Sequence, residues 1–319
     1  MLKADSARLT VIIVNRNTAD LLLECIEHVY RSDLPRKPQV IVVDNGSVDA
    51  SVVRVESAFP DVEVIAAGRN LGFAAANNRG AERALGEYLL LVNTDAMIEP
   101  DCAGQLMELM EQDPEIGMVG PRLVNPDGSP QTSYEAVPSP LTETLNRSLL
   151  KRLFPRRYPS KTRVTSCPEP VETLIGAVMM IRRQAFEDVG GFDERYFFFF
   201  EETDLAVRMR KSGRKVVHQP GAIAVHLQGG TAKAYHSGAR IEYYRSRYLF
   251  FREHYGPGAA TFLRAVRFMD LTFSVFALGI GLLFTLGRID TLAARFRTRW
   301  DLWVWHLHDC PLGPGLPRE

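Results

Sequence analysis

The sequence is short of cysteine, of net charge and of any secretory leader. Its four cysteines, Cys25, Cys102, Cys167 and Cys310, include no CxxC pair. That spacing excludes a zinc ribbon and a disulfide framework, and it predicts reduced, mostly buried thiols in a cytosolic compartment. Lys3 and Asp5 stand before the first strand, where a signal peptide needs a long apolar run. With 38 Lys plus Arg against 38 Asp plus Glu, the formal net charge is zero, so global charge gives no ground for a nucleic-acid partner. There is no GxGxxG after the first strand, no Gly-x4-Gly-Lys-Ser/Thr and no G-x-S-x-G elbow. Those absences set aside a dinucleotide-binding fold, a P-loop enzyme and a nucleophile-elbow hydrolase. No internal repeat is present.

What the chain does have is alternation. Leu9–Asn15 is a continuous apolar run, as expected of a strand buried on both faces. Ala19–Tyr30 has helical spacing. Val40–Val43, Val62–Ala66 and Tyr88–Val92 read as further strands, separated by helices over Asp49–Phe59 and Gly72–Leu85. Asp101–Gln112 reads as a helix and Gly117–Pro121 opens another strand. Repeated βα units of this length predict a parallel, doubly wound sheet with ligands at the carboxyl ends of its strands. Asn15-Arg16-Asn17, Asp44-Asn45 and Asn93-Thr94-Asp95 then fall along one rim.

Pro126–Pro170 breaks the pattern. It is rich in Pro, Ser, Thr and Arg, with one helix-like stretch at Leu141–Phe154, and reads as a variable excursion or lid. Order returns with a strand at Ala177–Ile181, a short helix at Arg183–Val189 and a helix from Glu201 to Lys211. Lys215–His218 and Ala222–His226 are strand-like, and helices follow from Ile241. Leu271–Gly287 is seventeen residues without a charge, at the short limit for a membrane span. A membrane surface, a partner subunit or the protein itself can cover it. Ten arginines against four acids between Arg240 and Arg299 favour anionic headgroups or simply solvate a helix surface.

Three clusters carry chemistry. Asp95 follows a buried strand, where a carboxylate can hold a hard divalent cation on phosphate oxygens, or can serve as a turn residue before Pro100. Glu201, Glu202 and Asp204 crowd the first turn of a helix. Acids there favour the helix dipole, and one glutamate facing a cleft can act as a general base. His226 ends a strand before Leu227-Gln228-Gly229-Gly230-Thr231 and can join Asp95 at the same metal, or be structural. Arg69 can pair with phosphate at the helix that Asn70 leads into, and Asn70 can equally be its cap.

In order, VIIVNRN (11–17), IVVDNGSVD (41–49), RNLGFAAANNRG (69–80), LLLVNTDAMIEPD (89–101), the stretch from Ile175 to Gly213 and VHLQGG (225–230) resemble family 2 glycosyltransferases of the GT-A fold. The nearest subgroup resembles rhamnosyltransferases that use dTDP-L-rhamnose in cell-surface polysaccharide synthesis. The resemblance implies an α/β Rossmann-like, mostly parallel sheet flanked by helices. It divides the chain into a GT-A domain (1–235) and a helical extension (236–319). Within the domain, 1–120 is the nucleotide-binding half, 126–170 the excursion and 171–235 the acceptor and catalytic half.

Roles follow by position. Asn15, Asn17, Asp44, Arg69, Asn70, Asn93, Thr94 and Asp95 line the nucleotide-sugar site. Asp95 and His226 hold Mg2+ or Mn2+. Glu202 stands at the catalytic base position with Glu201 as fallback, since the family has Glu-Asp where this chain has Glu-Glu. Gly176, Asp204 and Arg208 lie on the acceptor side. The implied partners are a nucleotide-sugar donor and a glycan or polyprenyl-linked acceptor at the inner face of the cell membrane. A non-catalytic binding relative and a sugar nucleotidylyltransferase are the alternatives, and the second needs a glycine-rich basic loop that Val14–Asp20 lacks.

Overall fold

The structure is a computed structural model that describes residues 8–144, 152–154, 165–227, 236–286, 288–312, 315–316 and 318. β1 (Leu9–Asn15), α1 (Ala19–Tyr30), β2 (Gln39–Asp44), α2 (Ser51–Ala58), β3 (Glu63–Ala66), α3 (Phe73–Ala81) and β4 (Tyr88–Asn93) form the expected βα run. β5 (Ala96–Ile98), α4 (Cys102–Gln112), β6 (Ile116–Val124), β7 (Tyr134–Glu135) and α5 (Pro140–Thr144) follow. The second half holds β8 (Glu169–Pro170), β9 (Thr173–Leu174), β10 (Val178–Arg182), α6 (Arg183–Asp188), α7 (Glu201–Lys211) and β11 (Lys215–His226). The chain closes with α8 (His236–Tyr255), α9 (Pro257–Phe284) and α10 (Asp290–Leu307).

The main sheet runs β3-β2-β1-β4-β10-β6-β11-β5, with β8 on β11. Its first four strands are parallel, as the βα alternation requires. β10 enters antiparallel between β4 and β6. Alternate side chains serve opposite faces. Val11, Ile13, Val40, Val42, Leu90 and Val92 meet α1, α2 and α4, while Ile12, Ile41, Val43, Leu89 and Leu91 meet α3, α6 and α7. Helices on both faces explain why these strands are apolar throughout rather than alternating.

Several elements differ from expectation, among them the two-residue strands β7, β8 and β9, which were not expected. The strands expected at Lys215–His218 and Ala222–His226 are one strand, β11, whose register against β6 shifts between Gln219 and Ile223, where Pro220-Gly221 interrupts the ladder. β5 was not expected. It is three residues long and pairs antiparallel with the end of β11. Of the excursion, 145–151 and 155–164 lie outside the described residues, and of the helix expected over Leu141–Phe154 the described part includes α5 at Pro140–Thr144. Cys25 and Cys102 are buried, Cys310 is half-buried and Cys167 is exposed.

The C-terminal helices pack onto the sheet domain through aromatics. Phe250, Phe251 and Leu263 share a cluster with Tyr196 and Phe200. α9 and α10 form an antiparallel pair, tied by Trp303 Nε1 donating to Thr272 Oγ1 at 2.9 Å. α9 is long and apolar enough to cross a membrane, and little of its apolar stretch is buried. Phe273, Phe276, Leu283 and Phe284 are 71–86% exposed.

Gly72 precedes α3 at φ +86°, a conformation that favours glycine. A Cβ there falls on the carbonyl oxygen of Phe197, the same oxygen that accepts from Phe73 N at 2.9 Å. Gly72→Ala is expected to cost about 2–4 kcal/mol through backbone strain and overpacking. Urea unfolding checks this, and a wild-type midpoint would refute it.

Candidate active site

The rim begins where β1 and β2 end side by side, with Asn15 in register with Asp44. Asn15 Nδ2 donates to Asp44 Oδ1 at 3.1 Å and to Ser47 Oγ at 3.0 Å. Ser47 N donates to Asp44 Oδ2 at 3.0 Å. Asn17, at φ +54°, accepts from Val48 N at 2.7 Å. Asn15, Asn17 and Asp44 therefore form one connected corner, with Ser47 as the hub that sequence reasoning passed over. Thr18 joins it to the next strand: its hydroxyl donates to Asn15 Oδ1 at 2.8 Å and lies 3.0 Å from Thr94 Oγ1.

Asn70 is buried, and its Oδ1 accepts from Asn45 Nδ2 at 2.9 Å and from Gly72 N at 3.1 Å. Its side-chain oxygen thus shapes the loop before α3 rather than capping the helix, whose N-cap is Gly72 with no side-chain cap. Arg69 beside it is exposed. It is within the same loop, since a Cβ on Gly46 would meet Arg69 Cα at 2.8 Å.

The next corner depends on β5. Ala96 pairs with His226, and Leu227 N donates to the Asp95 carbonyl at 2.9 Å. This pairing sets His226 Nε2 3.5 Å from Asp95 Oδ1, both side chains being less than one-fifth exposed. Gln131 holds the other side of the imidazole, with Oε1 3.1 Å from Nδ1. No group of three or more His, Cys, Asp or Glu able to hold a metal occurs among the described residues. A two-residue carboxylate–imidazole pair fits a hard divalent cation whose remaining ligands are waters and phosphate oxygens of a substrate. The turn at 228–231 lies outside the described residues.

The third corner is the start of α7. Phe199 and Phe200 both have φ near +70°, at 72° and 71°, unusual for bulky residues and a local strain before the helix. Aromatic packing holds it: Phe199 and Phe200 pack on Tyr243, and Phe200 packs also on Phe250 of α8. Ser246 Oγ donates to Phe198 O at 2.9 Å.

The two glutamates that follow differ in setting. Glu201 is 5% exposed and its Oε2 has no hydrogen-bond partner among the described residues. Burial, with Glu202 adding repulsion, pushes its carboxyl well above the usual range. Glu202 is half-buried against Gly176, where a Cβ would come within 3.6 Å of Glu202 Cγ. Burial, with Glu135 adding, pushes Glu202 up to about 7.

Gly176–Ala177 also reaches the Asp95–His226 corner, because Asn93 N donates to Ala177 O at 2.9 Å. The Asn93-Thr94-Asp95 turn and Glu202 therefore flank one short backbone segment. Asp204 and Arg208 face elsewhere. Asp204 accepts from Arg208 Nε at 2.7 Å and meets His254 Nε2 of α8 at 2.7 Å, while Arg208 Nη1 donates to Val189 O at 2.7 Å. These contacts tie α7 to α8, whereas Glu202 lies against Gly176.

Residues 10–190 match the glycosyl transferase family 2 signature. The chain belongs to this family. It is a glycosyltransferase that uses nucleotide-sugar donors. A further match, to the N-terminal domain of galactosyltransferase, covers residues 156–228. The chain is 30% identical over 236 residues to an N-acetylglucosaminyl-diphospho-decaprenol L-rhamnosyltransferase of Mycobacterium tuberculosis, covering 69% of this chain and 76% of the relative. It is 27% identical to a low-salt glycan biosynthesis hexosyltransferase of Haloferax volcanii, over 85% of this chain and 82% of the relative. The mannosyltransferase PcManGT of Pyrobaculum calidifontis, solved with GDP-Man and Mn2+, shares the fold at a TM-score of 0.53 and 18% identity, over 97% of this chain and 89% of that one. GalNAc-T7, solved with UDP, GalNAc and Mn2+, superposes at 0.54 and 18% identity over 70% of this chain and 44% of its own. These solved relatives bear out the GT-A fold of the family 2 glycosyltransferase.

Proposed function

We propose that this glycosyltransferase moves L-rhamnose from dTDP-L-rhamnose to a hydroxyl of a lipid-linked glycan, with inversion, at the cytoplasmic face of the membrane. The observation that carries the reading is the Gly176–Ala177 segment, which has Glu202 on one side and the Asn93-Thr94-Asp95 turn on the other. A general base and a diphosphate-binding corner are thereby neighbours, as a single displacement requires. The similarity to a rhamnosyltransferase acting on a diphospho-polyprenol supports this donor and acceptor class.

In this reading Asp44, with Asn15 and Asn17, holds the pyrimidine base, and exposed Arg69 faces the phosphates. Asp95 and His226 hold Mg2+ or Mn2+, which when bound offsets negative charge on the diphosphate. Glu202 takes the proton from the acceptor hydroxyl. That oxygen bonds to the anomeric carbon as the carbon's bond to the diphosphate oxygen breaks, and the nucleoside diphosphate leaves. Burial, with repulsion from Glu202, pushes the Glu201 carboxyl well above the usual range, which disfavours a second negative charge beside Glu202. Asp204 and Arg208 anchor the helix that carries both.

A nucleoside-diphosphate release screen over dTDP-rhamnose, UDP-hexoses and GDP-mannose, with an N-acetylglucosaminyl-diphospho-polyprenol acceptor, tests the reading. Release from dTDP-rhamnose alone supports it. Pyrophosphate release would instead favour a nucleotidylyltransferase, and no turnover with any pair would favour a binding-only relative.

The exposed apolar face of α9 and the arginines of α10 (Arg295, Arg297, Arg299) suit an anionic bilayer surface. The protein is expected to float with phosphatidylglycerol vesicles and less with neutral ones. Replacing Phe273, Phe276 and Leu283 by Asp should cut vesicle binding by at least about 10-fold, since each buried apolar side chain contributes about 1.5–3 kcal/mol. Wild-type protein that stays with the unbound fraction would refute this membrane role.

A further inference from the structure

His226 has two ring nitrogens, and Nε2 is the one turned to Asp95. The other, Nδ1, meets Gln131, a residue with no part in the chemistry so far. Gln131 is 6% exposed and follows the Asn125–Ser129 turn, with its N–H donating to Leu123 O at 2.9 Å. Its carboxamide is fixed by partners that can play only one part. Nε2 lies 2.5 Å from the His226 carbonyl oxygen and 2.7 Å from Asn125 Oδ1. A backbone carbonyl only accepts, so the atom facing it must be the amide nitrogen. Asn125 is oriented in the same way: its Nδ2 donates to Ser129 Oγ at 2.8 Å and to Ser129 O at 3.3 Å, which leaves Oδ1 toward Gln131.

Oε1 of Gln131 faces His226 Nδ1 at 3.1 Å, and an amide oxygen cannot donate, so Nδ1 must. A neutral imidazole with its proton on Nδ1 carries its lone pair on Nε2, the nitrogen beside Asp95. The same carboxamide grips the ring and the backbone of one residue, so it fixes the ring angle as well as the tautomer.

We infer that Gln131 is a positioning residue of the metal corner: it selects the Nδ1–H form of His226 and aims Nε2 alongside Asp95. The inference rests on the metal-binding role proposed for Asp95 and His226. It places the Asn125–Gln131 hairpin, at the end of β6, within the functional site. Partners of this kind orient metal-ligating histidines and raise their basicity.

The first test needs neither metal nor variant. Long-range proton–nitrogen correlation spectra of the 15N-labelled wild-type protein at pH 8, with His226 assigned through His226→Asn, should show His226 protonated on Nδ1. Finding it protonated on Nε2 overturns the inference. Gln131→Met, which keeps length and removes both hydrogen-bonding atoms, should shift His226 toward the Nε2–H form that free imidazoles in peptides prefer. In a Mn2+ titration with dTDP present, followed by water-proton relaxation, Gln131→Met should weaken Mn2+ binding by about 10–100-fold. Its kcat at saturating Mn2+ should stay within a few-fold of wild type, since the ligands themselves remain. Unchanged Mn2+ affinity in that variant overturns the inference. Failure of wild type to bind Mn2+ would sink the metal role of Asp95 and His226 instead, while the tautomer spectrum still decides whether Gln131 sets the ring.

Discussion

Glu202→Gln is expected to lower kcat by about 1,000-fold, within the range for removing a general base, while leaving the donor KM within a few-fold. The amide keeps the side chain's shape beside Gly176 and removes the proton acceptor. The wild-type pH profile should share this origin. With Glu202 pushed up to about 7 by burial, kcat/KM should rise with pH to a plateau above that value. The variant's residual rate should lose that dependence.

Stability gives an independent sign. A carboxyl whose folded-state pKa is raised contributes stability that is fully present below its unfolded value and is lost as pH rises through the folded one. Glutamine mimics the protonated form, so the variant should melt no lower than wild type at pH 8. A variant that retains wild-type kcat removes Glu202 from the base role and points to Glu201. Loss of activity together with a lower melting temperature at pH 8 would point to misfolding.

Asp95→Ala is expected to lower kcat/KM by about 100- to 10,000-fold, since a cation at a leaving diphosphate supplies several kcal/mol of charge stabilisation. Asn93 occupies the first position of the Asn93-Thr94-Asp95 motif, so Asp95 is the turn's only carboxylate. His226, 3.5 Å away, cannot replace it, because an imidazole brings no negative charge. EDTA should abolish wild-type activity and change the variant's residual rate little. Assays across a Mn2+ series with and without EDTA measure both. Full activity in EDTA, unaltered by Asp95→Ala, would show that the transfer runs without the cation.

Much of the fold could be read from the chain because each element announces itself locally. A strand buried on both faces must be apolar throughout, so β1, β2 and β4 stand out as runs. The helix from Glu201 to Lys211 agrees with its expected ends, since acids in the first turn and bases in the last favour that direction. β5 escaped because three residues, Ala96–Ile98, carry no periodicity. Asp204 and Arg208 sit among catalytic-looking acids, and only the arrival of α8, with His254, shows that their charges are used in packing. Gln131 gave no signal, because an isolated glutamine past a turn is ordinary until a histidine from β11 is laid beside it.

The sequence by itself determined the βα order, the apolar strands, the polar residues at the ends of β1, β2 and β4, and the acids at the head of α7. These depend on neighbours along the chain, where spacing and side-chain chemistry suffice. Tertiary structure alone decided which of them meet. The short antiparallel pairing of β5 with β11 brings His226 to Asp95. The strained Phe199-Phe200 turn, held by aromatics of α8, buries Glu201 and leaves Glu202 against Gly176. Register and burial are properties of the packed sheet and its covering helices, and no local run of residues encodes them.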